Sequence, residues 1–392
     1  MKKILLVAYF FEPFNNGGVQ RIKCFKKYMK EFGYEIDILT TNVMGTTDND
    51  DNVIRIKDTG DILRHNKCPI VAYPSKVLIK LFMYCGLLYD WFSFWNKNIE
   101  SEIETQIDVC KYDYIMASYP PITDLIVGLN LSKKYDVPLI VDYRDGLLYD
   151  PFPYILEQSK RYRNKIQILE NEVANKSILQ IVVNEQMKDY YNEKYPFRKT
   201  IVIPNGFDSE ESFLGEPLKL PEGINIVYTG LLGEIRFEYC KKVLTSLLSE
   251  IKNINLIYIG NLEAREREIL GQYKNFFCYD QVPRNVSILT QRAADLLLLI
   301  TGDSLGGTSG KLYEYLFANR PILHIGNIKN NASNIIKETN AGESFDQTMY
   351  LEIKKFICNF VSGDKKQYKF RNIDKFNRKS QSKELAHNID ML

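Results

Sequence analysis

The stretch INIVYTG, residues 224–230, begins the second of two similar series of apolar runs in this chain. It is an apolar run of strand length that breaks into a glycine-containing loop, and MKKILLVAYFF at residues 1–11 does the same at the beginning of the sequence. After each start, short apolar runs alternate with longer segments of helical period, which is the pattern of parallel strands joined by helical crossovers. The sequence therefore predicts an α/β protein of two doubly wound domains that face each other across a cleft.

The apolar runs place both series along the chain. In the first half they predict strands at 4–10, 35–40, 113–118, 138–142, 178–183 and 200–203, with helices at 19–31, 122–135 and 157–176. The second series continues through NLIYIG, FFCYD, DLLLLI and PILHIG. The segment between the two series, 204–221, is rich in turn formers and acidic residues and predicts a linker.

Composition narrows the class of protein. A length of 392 residues suits two ordinary domains, and 51 basic against 49 acidic residues leave a net charge of +2, which indicates no nucleic-acid partner. The seven cysteines lack the CxxC spacing of zinc and redox motifs, so a cytoplasmic location is expected. Lys80 and Asp90 interrupt the apolar run at 77–95, and no membrane-spanning helix is predicted there.

The segment GDSLGGTSGKLYEYLFANRP, residues 302–321, is the clearest candidate for a ligand site. Its glycine-rich loop runs into a predicted helix at 310–318, and the N–H groups and dipole of such a helix N-terminus suit a phosphate. Glu314, one turn further on, suits two vicinal ribose hydroxyls. Phosphate and ribose together indicate a nucleotide; the alternative is an ordinary capped helix with solvated Lys311 and Glu314.

Two further loops contain residues that suit a diphosphate. In GLLGEIR, Gly230 ends a strand and Arg236 follows, and an arginine binds a diphosphate through two parallel charge-assisted hydrogen bonds. In FEPFNNGGVQR, Gly17 and Gly18 lead into a helix without the G-x-G-x-x-G spacing of a dinucleotide fingerprint. A lone surface arginine and a plain strand-to-helix turn are the respective alternatives.

The segment VDYRDGLLYDPF has charged residues at the end of the strand predicted at 138–142. The carboxylates of Asp142 and Asp145, with Arg144 between them, can orient or deprotonate a hydroxyl. A structural Asp–Arg pair that closes the loop explains the same residues. Tyr119 and Pro120 of SYPP end the preceding strand and are expected to line the same opening.

In this order the motifs resemble the retaining glycosyltransferases of family 4, which have the GT-B fold of two Rossmann-like domains. The resemblance runs along almost the whole chain, through GGVQR, SYPP, VDYRD, VVNEQMKDYY, VIPNGFD, YTG and SGKLYEYLFANRPIL. It implies an acceptor-binding domain at 1–205, a nucleotide-sugar-binding domain at 206–371, and a C-terminal helix at 372–392 that returns to the first domain. It also implies transfer from a nucleotide-sugar, expected to be a UDP-sugar, to a saccharide or lipid-linked acceptor in surface polysaccharide assembly, without a metal or other cofactor.

The same resemblance implies roles for single residues. Glu314 corresponds to the second glutamate of the family's E-x7-E motif, which holds the donor ribose, and Val282 and Arg284 fall in the loop beside the base. Residues expected around the donor diphosphate are Gly17, Gly18, Gly230, Thr308, Ser309, Gly310 and Lys311. Those expected to act in catalysis are Arg236, Lys311, Asp142, Arg144 and Asp145, and those expected at the acceptor are Tyr119, Pro120 and Asp145.

Two positions depart from the family pattern. Gly306 stands where the first glutamate of E-x7-E would be, and Leu231 replaces the arginine that commonly follows the loop glycine. Two alternatives therefore stay open: a sugar-nucleotide epimerase of the same architecture, and a nucleotide-sugar-binding partner subunit without catalysis.

A basic stripe and an aromatic run suggest contact with anionic lipid on the inner face of a membrane. The stripe consists of Lys23, Lys26, Lys27 and Lys30 at helical spacing, and the aromatic run covers 89–95. A solvated helix face and a buried core are the alternatives.

Overall fold

The computed structural model describes residues 1–47, 51–61, 69–149, 159–303, 310–362 and 368–392, with the backbone alone for 69–75. The chain forms two compact units, one of residues 1–205 and 378–392 and the other of residues 206–377. Residues 372–377 thus belong to the second unit, and the return to the first unit begins at Arg378. Each unit has one parallel sheet with helices between its strands, so the α/β class with two doubly wound, Rossmann-like sheets is confirmed.

The first unit has a seven-stranded sheet with the strand order β3-β2-β1-β4-β5-β6-β7. Its elements are β1 (Lys2–Val7), α1 (Gly17–Met29), β2 (Tyr34–Thr40), β3 (Val53–Arg55), α2 (Pro69–Tyr84), α3 (Phe94–Gln106), β4 (Tyr114–Tyr119), α4 (Ile122–Tyr135), β5 (Leu139–Tyr143), α5 (Lys160–Lys176), β6 (Ser177–Val182), α6 (Glu185–Lys194) and β7 (Lys199–Val202).

The second unit has a six-stranded sheet with the strand order β10-β9-β8-β11-β12-β13. Its elements are β8 (Ile224–Thr229), α7 (Glu234–Glu250), β9 (Ile254–Ile259), α8 (Ala264–Leu270), β10 (Phe276–Tyr279), α9 (Arg284–Ala293), β11 (Leu296–Gly302), α10 (Gly310–Ala318), β12 (Ile322–Gly326), α11 (Asn331–Thr339), β13 (Gly342–Phe345) and α12 (Tyr350–Val361). The final helix, α13 (Arg378–Asp390), packs on α1 in the first unit.

Both faces of the sheets are covered, which explains why the strands are continuous apolar runs. In β1, Leu5 and Val7 belong to one core cluster, while Ile4 and Leu6 belong to a second cluster on the opposite face of the sheet. Parallel strands buried on both faces lack the alternation of strands with a solvent-exposed side. The same two-sided burial holds for the leucines of β11 in the second unit.

The strand orders place one topological switch point in each sheet, between β1 and β4 and between β8 and β11. At such a point the connections leave the two neighbouring strands in opposite directions, and ligands of open α/β sheets bind at the carboxyl ends there. The glycine loop that leads into α1 follows β1, and the SYPP segment covers the last two residues of β4 and the two prolines after it. The GLLGEIR loop follows β8, and α10 is the next helix after β11.

The apolar run at 77–95 is not one continuous helix. It is divided between the end of α2, a turn and the start of α3. No helix within the described ranges combines the length and the apolar character needed to cross a membrane.

Candidate functional site

Gly230, directly after β8, lets α10 approach the carboxyl end of this strand. Its φ is +91°, in the left-handed region that favours glycine. A Cβ atom at this position would lie 2.7 Å from Cε of Lys311. Glycine therefore suits the turn of the backbone and leaves room for the side chain of Lys311 where it lies in this structure.

Lys311 connects α10 to the end of β8 and to the loop that follows this strand. From the first turn of α10, its Nζ donates to Oη of Tyr228 at 2.8 Å and to the carbonyl oxygen of Leu231 at 3.2 Å. The pKa of Lys311 is lowered to about 7, mainly by burial and in addition by the positive charge of Arg236, while the charge of Glu314 acts in the opposite direction. The ammonium group is thus held where an anion would stabilise its charged form.

Two tyrosines that the sequence analysis missed hold the loop after β8. Oη of Tyr258 donates to the carbonyl oxygen of Gly230 at 2.8 Å and accepts from the N–H of Leu232 at 3.1 Å. The ring of Tyr258 stacks on that of Tyr228, its register partner on the neighbouring strand, with centroids 5.3 Å apart. A signal was present in the sequence, since β8 and β9 both have a tyrosine as their second-last residue and a glycine directly after the strand.

Arg236 lies in the first turn of α7, and its side chain is exposed. Its charge acts on the pKa of Lys311, so the structure brings these two sequence-predicted cations close to each other. Two positive groups therefore stand at the carboxyl end of β8.

Glu314 and Arg284 form an ion pair between α10 and α9. Nη1 of Arg284 donates to Oε1 of Glu314. The same guanidinium donates from Nε and Nη2 to the two carboxylate oxygens of Glu211, at 3.0 and 3.1 Å. Neither contact follows from the sequence pattern, and Glu211 lies in the segment predicted as a linker. Val282, two residues before Arg284, is half-buried against the core.

The remaining predicted donor residues lie at the start of α10. Gly310 is the first residue of the helix, and none of the described residues has a heavy atom within 4 Å of a Cβ built there. Thr308 and Ser309, like Gly306, lie outside the described residues.

In the first unit, the glycine pair begins α1. The helix is capped by the side chain of Asn16, which accepts from the N–H of Val19 at 2.8 Å. A Cβ at Gly18 would lie 1.7 Å from Nη1 of Arg144, whereas a Cβ at Gly17 would have no heavy atom within 4 Å in the part of the chain that the structure describes. Gly18 thus makes room for the guanidinium of Arg144, and the two motifs are in contact.

Asp142 lies inside the unit rather than at its surface, which corrects the expectation that its carboxylate acts on a hydroxyl directly. Its side chain and that of Arg21 have no exposed area, and Nε and Nη2 of Arg21 donate to its two oxygens at 3.0 and 2.7 Å. Ser118 donates a further bond at 3.0 Å, and Arg144 in turn donates to Ser118 at 3.1 Å. Among the described residues, hydrogen bonds lead from Asp142 through Ser118 to Arg144, whose side chain is partly exposed.

The other predicted residues of the first unit lie near the carboxyl ends of β4 and β5. Asp145 is exposed, Tyr119 is half-buried, and the carbonyl oxygen of Pro120 accepts a bond from Arg144. Asp124, which no sequence motif indicated, is buried in the first turn of α4, and its oxygens accept from the N–H of Tyr9 at 3.0 and 3.1 Å. Burial raises the pKa of Asp124 well above its usual value, and the charge of Arg144 opposes that shift.

Comparison with known proteins identifies the family. The family model described as Glycosyltransferase Family 4 matches residues 15–211, which is half of the chain, while a sequence search of curated proteins finds no match. The solved structure of HepE from Anabaena in complex with UDP and glucose is similar over all of both chains, with a TM-score of 0.65 and 14% identity. The lipopolysaccharide outer core galactosyltransferase WaaB is similar over all of both chains, with a TM-score of 0.59 and 11% identity. A putative UDP-N-acetylglucosamine 2-epimerase from Listeria monocytogenes is similar over all of this chain and 96% of its own, with a TM-score of 0.56 and 12% identity.

At such low identities the solved structures show a shared fold, which is the GT-B fold of two Rossmann-like units. The family match adds the class of protein, because it covers the glycine loop of α1, the SYPP segment, VDYRD and the segment that enters the second unit. On these grounds the chain belongs to glycosyltransferase family 4.

Proposed function

We propose that this protein is a retaining glycosyltransferase that moves a sugar from a UDP-sugar to a hydroxyl of a saccharide or lipid-linked acceptor, in the assembly of a surface polysaccharide. The second unit binds the donor and the first unit binds the acceptor. The observation that carries the proposal is the convergence of Lys311, Arg236 and Glu314 at the switch point of the second sheet.

The donor diphosphate binds at the N-terminus of α10. Lys311 and Arg236 supply positive charge there, and the peptide dipoles of the helix add to it. Glu314, one turn along the same helix, accepts from the hydroxyls of the ribose. HepE, solved with UDP and glucose and also with UDP-glucose, supports UDP as the nucleotide.

Transfer needs no protein nucleophile in this proposal. The bond between the anomeric carbon and the diphosphate oxygen breaks, and its electron pair stays on the departing diphosphate. The acceptor oxygen forms the new bond on the same face of the sugar, and its proton passes to the diphosphate. Catalysis then rests on stabilising the charge that develops on the β-phosphate, which is the task of Lys311 and Arg236.

In the first unit, Asp145, Tyr119 and Pro120 contact the acceptor. Arg144 is oriented towards Gly18 by its bonds to Ser118 and Pro120. Asp142 acts through this chain of contacts and is a positioning residue.

The first prediction concerns nucleotide binding. UDP is expected to raise the melting temperature, because a ligand that binds only the folded state at 100 times its Kd adds about 2.7 kcal/mol of stability. GDP, CDP and TDP at the same concentration serve as comparisons, and UMP tests the contribution of the β-phosphate.

Incubation with UDP-glucose is expected to release glucose slowly, and ¹H NMR is expected to show the α-anomer first.

Other outcomes separate this proposal from its alternatives. An epimerase would convert a UDP-sugar into its epimer without release of UDP. A partner subunit without catalysis would bind UDP and leave every UDP-sugar intact. A protein that no nucleoside diphosphate stabilises would contradict donor binding altogether.

We also propose peripheral contact with an anionic membrane, at a different surface from the one that the sequence suggested. Trp95 of the aromatic run is fully buried, with its Nε1 bonded to the carbonyl oxygen of Ile56, and the stripe lysines Lys23 and Lys26 bond to Glu12 and to the backbone of Asp51. The end of α2 and the turn after it instead expose apolar side chains, namely Val77, Leu78, Leu81, Tyr84 and Leu87.

Charge favours anionic lipid as the partner of this apolar face. The exposed lysines Lys76 and Lys80 lie on the same helix, and the sequence has no Asp or Glu between Asp61 and Asp90. Ile79 and Met83 anchor the other side of the helix in the core of the unit. An amphipathic helix of this kind, with basic and apolar residues outward, lies in the plane of a membrane surface.

The second prediction tests this face with sedimenting vesicles. Replacing Lys76 and Lys80 by glutamine is expected to weaken binding to phosphatidylglycerol-containing vesicles by about 30-fold, since each lysine near an anionic surface contributes about 1 kcal/mol. Leu81→Ser is expected to weaken it as well, whereas Leu351→Ser, at a still more exposed leucine of the second unit, serves as the control. Equal sedimentation with neutral and anionic vesicles would contradict the proposal.

A further inference from the structure

Arg284 is shared between two carboxylates in an unequal way. Glu211 occupies the side of the guanidinium formed by Nε and Nη2 with both of its oxygens, at 3.0 and 3.1 Å. Glu314 contacts only Nη1, and only through Oε1. Within the described part of the chain, no donor contacts Oε2 of Glu314.

Glu211 is held against α9 by the segment in which it lies. The carbonyl oxygen of Leu214 accepts from the side chain of Asn285 at 2.8 Å, and the N–H of Leu218 donates to Thr290 at 2.9 Å. These contacts fix the segment on the helix that begins with Arg284. The carboxylate of Glu211 is therefore attached to a fixed backbone on the same side of α9.

The arrangement decides how Arg284 can bind Glu314. An arginine and a single carboxylate prefer two parallel hydrogen bonds. Without Glu211, the Nε and Nη2 side of Arg284 would be available to Glu314 and could engage both of its oxygens. With Glu211 in place, Arg284 has one nitrogen left for Glu314, and the second oxygen of Glu314 stays available to a ligand.

We propose that Glu211 is a positioning residue for recognition of the donor ribose. It occupies Arg284 in such a way that Glu314 is oriented through Oε1 and accepts from the ribose hydroxyls through Oε2. This inference rests on the proposed function, in which Glu314 binds the ribose of a UDP-sugar. It adds a residue of the linker segment to the donor site.

The test compares UDP with 2′-deoxy-UDP by isothermal titration calorimetry on the full chain. The wild-type protein is expected to bind UDP at least about tenfold more tightly than 2′-deoxy-UDP, as expected for a hydrogen bond to a charged group. Glu211→Gln is expected to reduce this preference to about threefold or less, because an amide cannot accept both guanidinium bonds. Arg284→Lys is expected to have the same effect, because an ammonium group lacks the planar fork that binds both oxygens of Glu211 and leaves one nitrogen for Glu314.

Two controls separate positioning from a general loss of structure. Glu338 forms an exposed ion pair with Lys375 in the same unit, at 2.6 and 2.7 Å, and Glu338→Gln is expected to leave the preference unchanged. In a Glu314→Gln background, adding Glu211→Gln is expected to change the preference by less than about twofold, because Glu211 acts through Glu314.

The outcomes distinguish this inference from the proposed function. If the wild-type protein binds no UDP, donor binding is wrong and the inference falls with it. If the wild-type protein binds UDP but has no preference for the ribose, or if Glu211→Gln and Arg284→Lys both keep the full preference, donor binding stands and the role of Glu211 is overturned.

Discussion

Replacing Lys311 by methionine is expected to lower turnover of the sugar donor by roughly 100- to 1000-fold, the usual effect of removing one preorganised donor from a developing negative charge. The fold is expected to survive, because methionine fills a similar volume and removes a cation that burial disfavours. The melting temperature is therefore expected to stay level or to rise. Lys355→Met, at an exposed lysine of α12 in the same unit, is the matched control.

The pH dependence of binding makes the role of Lys311 more specific. Its pKa is about 7 before a ligand binds, so the group is mostly charged at pH 6 and mostly neutral at pH 8.5. A diphosphate favours the charged form and raises this pKa, so binding above pH 7 takes up a proton. The Kd for UDP-glucose is expected to rise by roughly 25-fold between pH 6.5 and 8.5, because the limit is tenfold per pH unit above the pKa.

Calorimetry with UDP-glucose measures this effect without interference from the ligand. The terminal phosphate of UDP has a second pKa of about 6, whereas the diphosphate of UDP-glucose has no such group. Lys311→Met is expected to remove the pH dependence. Arg236→Gln is expected to shift it to higher pH, because the positive charge beside Lys311 is lost. A wild-type Kd that stays constant across this range would contradict contact between Lys311 and the diphosphate.

The second large effect is expected at Asp142, on stability. Asp142→Asn leaves the charge of Arg21 without its partner at a site with no exposed area, which destabilises a protein by about 3–5 kcal/mol. Activity is then expected to fall with the folded fraction. Urea unfolding followed by tryptophan fluorescence reports this unit alone, since the only two tryptophans of the chain, Trp91 and Trp95, are in it.

Two further variants complete the test of the buried pair. Asp145→Asn, at an exposed carboxylate three residues away, is expected to change stability by at most about 0.5 kcal/mol, and it shows whether a carboxylate at the end of β5 acts on the acceptor. Replacing both Arg21 and Asp142 by apolar residues is expected to recover most of the loss. An Asp142→Asn protein that keeps full stability and loses turnover would instead support direct catalysis by Asp142.

Much of the fold was predictable because the strands are buried on both faces. The runs predicted for the second series agree with β8 to β12 within one or two residues, and the helix predicted at 310–318 coincides with α10. The short strands β3 and β13 were missed. Both lie at an edge of a sheet and are only partly buried, so neither forms the apolar run on which the prediction depended.

The candidate site was predictable by residue type but not by burial or partner. Glycines, lysine, arginine and glutamate beside helix starts indicated a phosphate and a ribose, and the structure brings Lys311 near Arg236. The contact between Glu211 and Arg284 joins residues 73 positions apart, and no local sequence pattern predicts such a contact. Asp142 looked like a surface carboxylate because it ends a strand, while its partner Arg21 comes from a different motif, 121 positions away.

The most direct test of the central claim is a crystal structure of this protein with UDP bound. We expect an oxygen of the β-phosphate about 3 Å from Nζ of Lys311, with the lysine moved from Tyr228, and a ribose hydroxyl at a similar distance from Oε2 of Glu314. A nucleotide bound elsewhere, with Lys311 still bonded to Tyr228 and Leu231, would contradict the account.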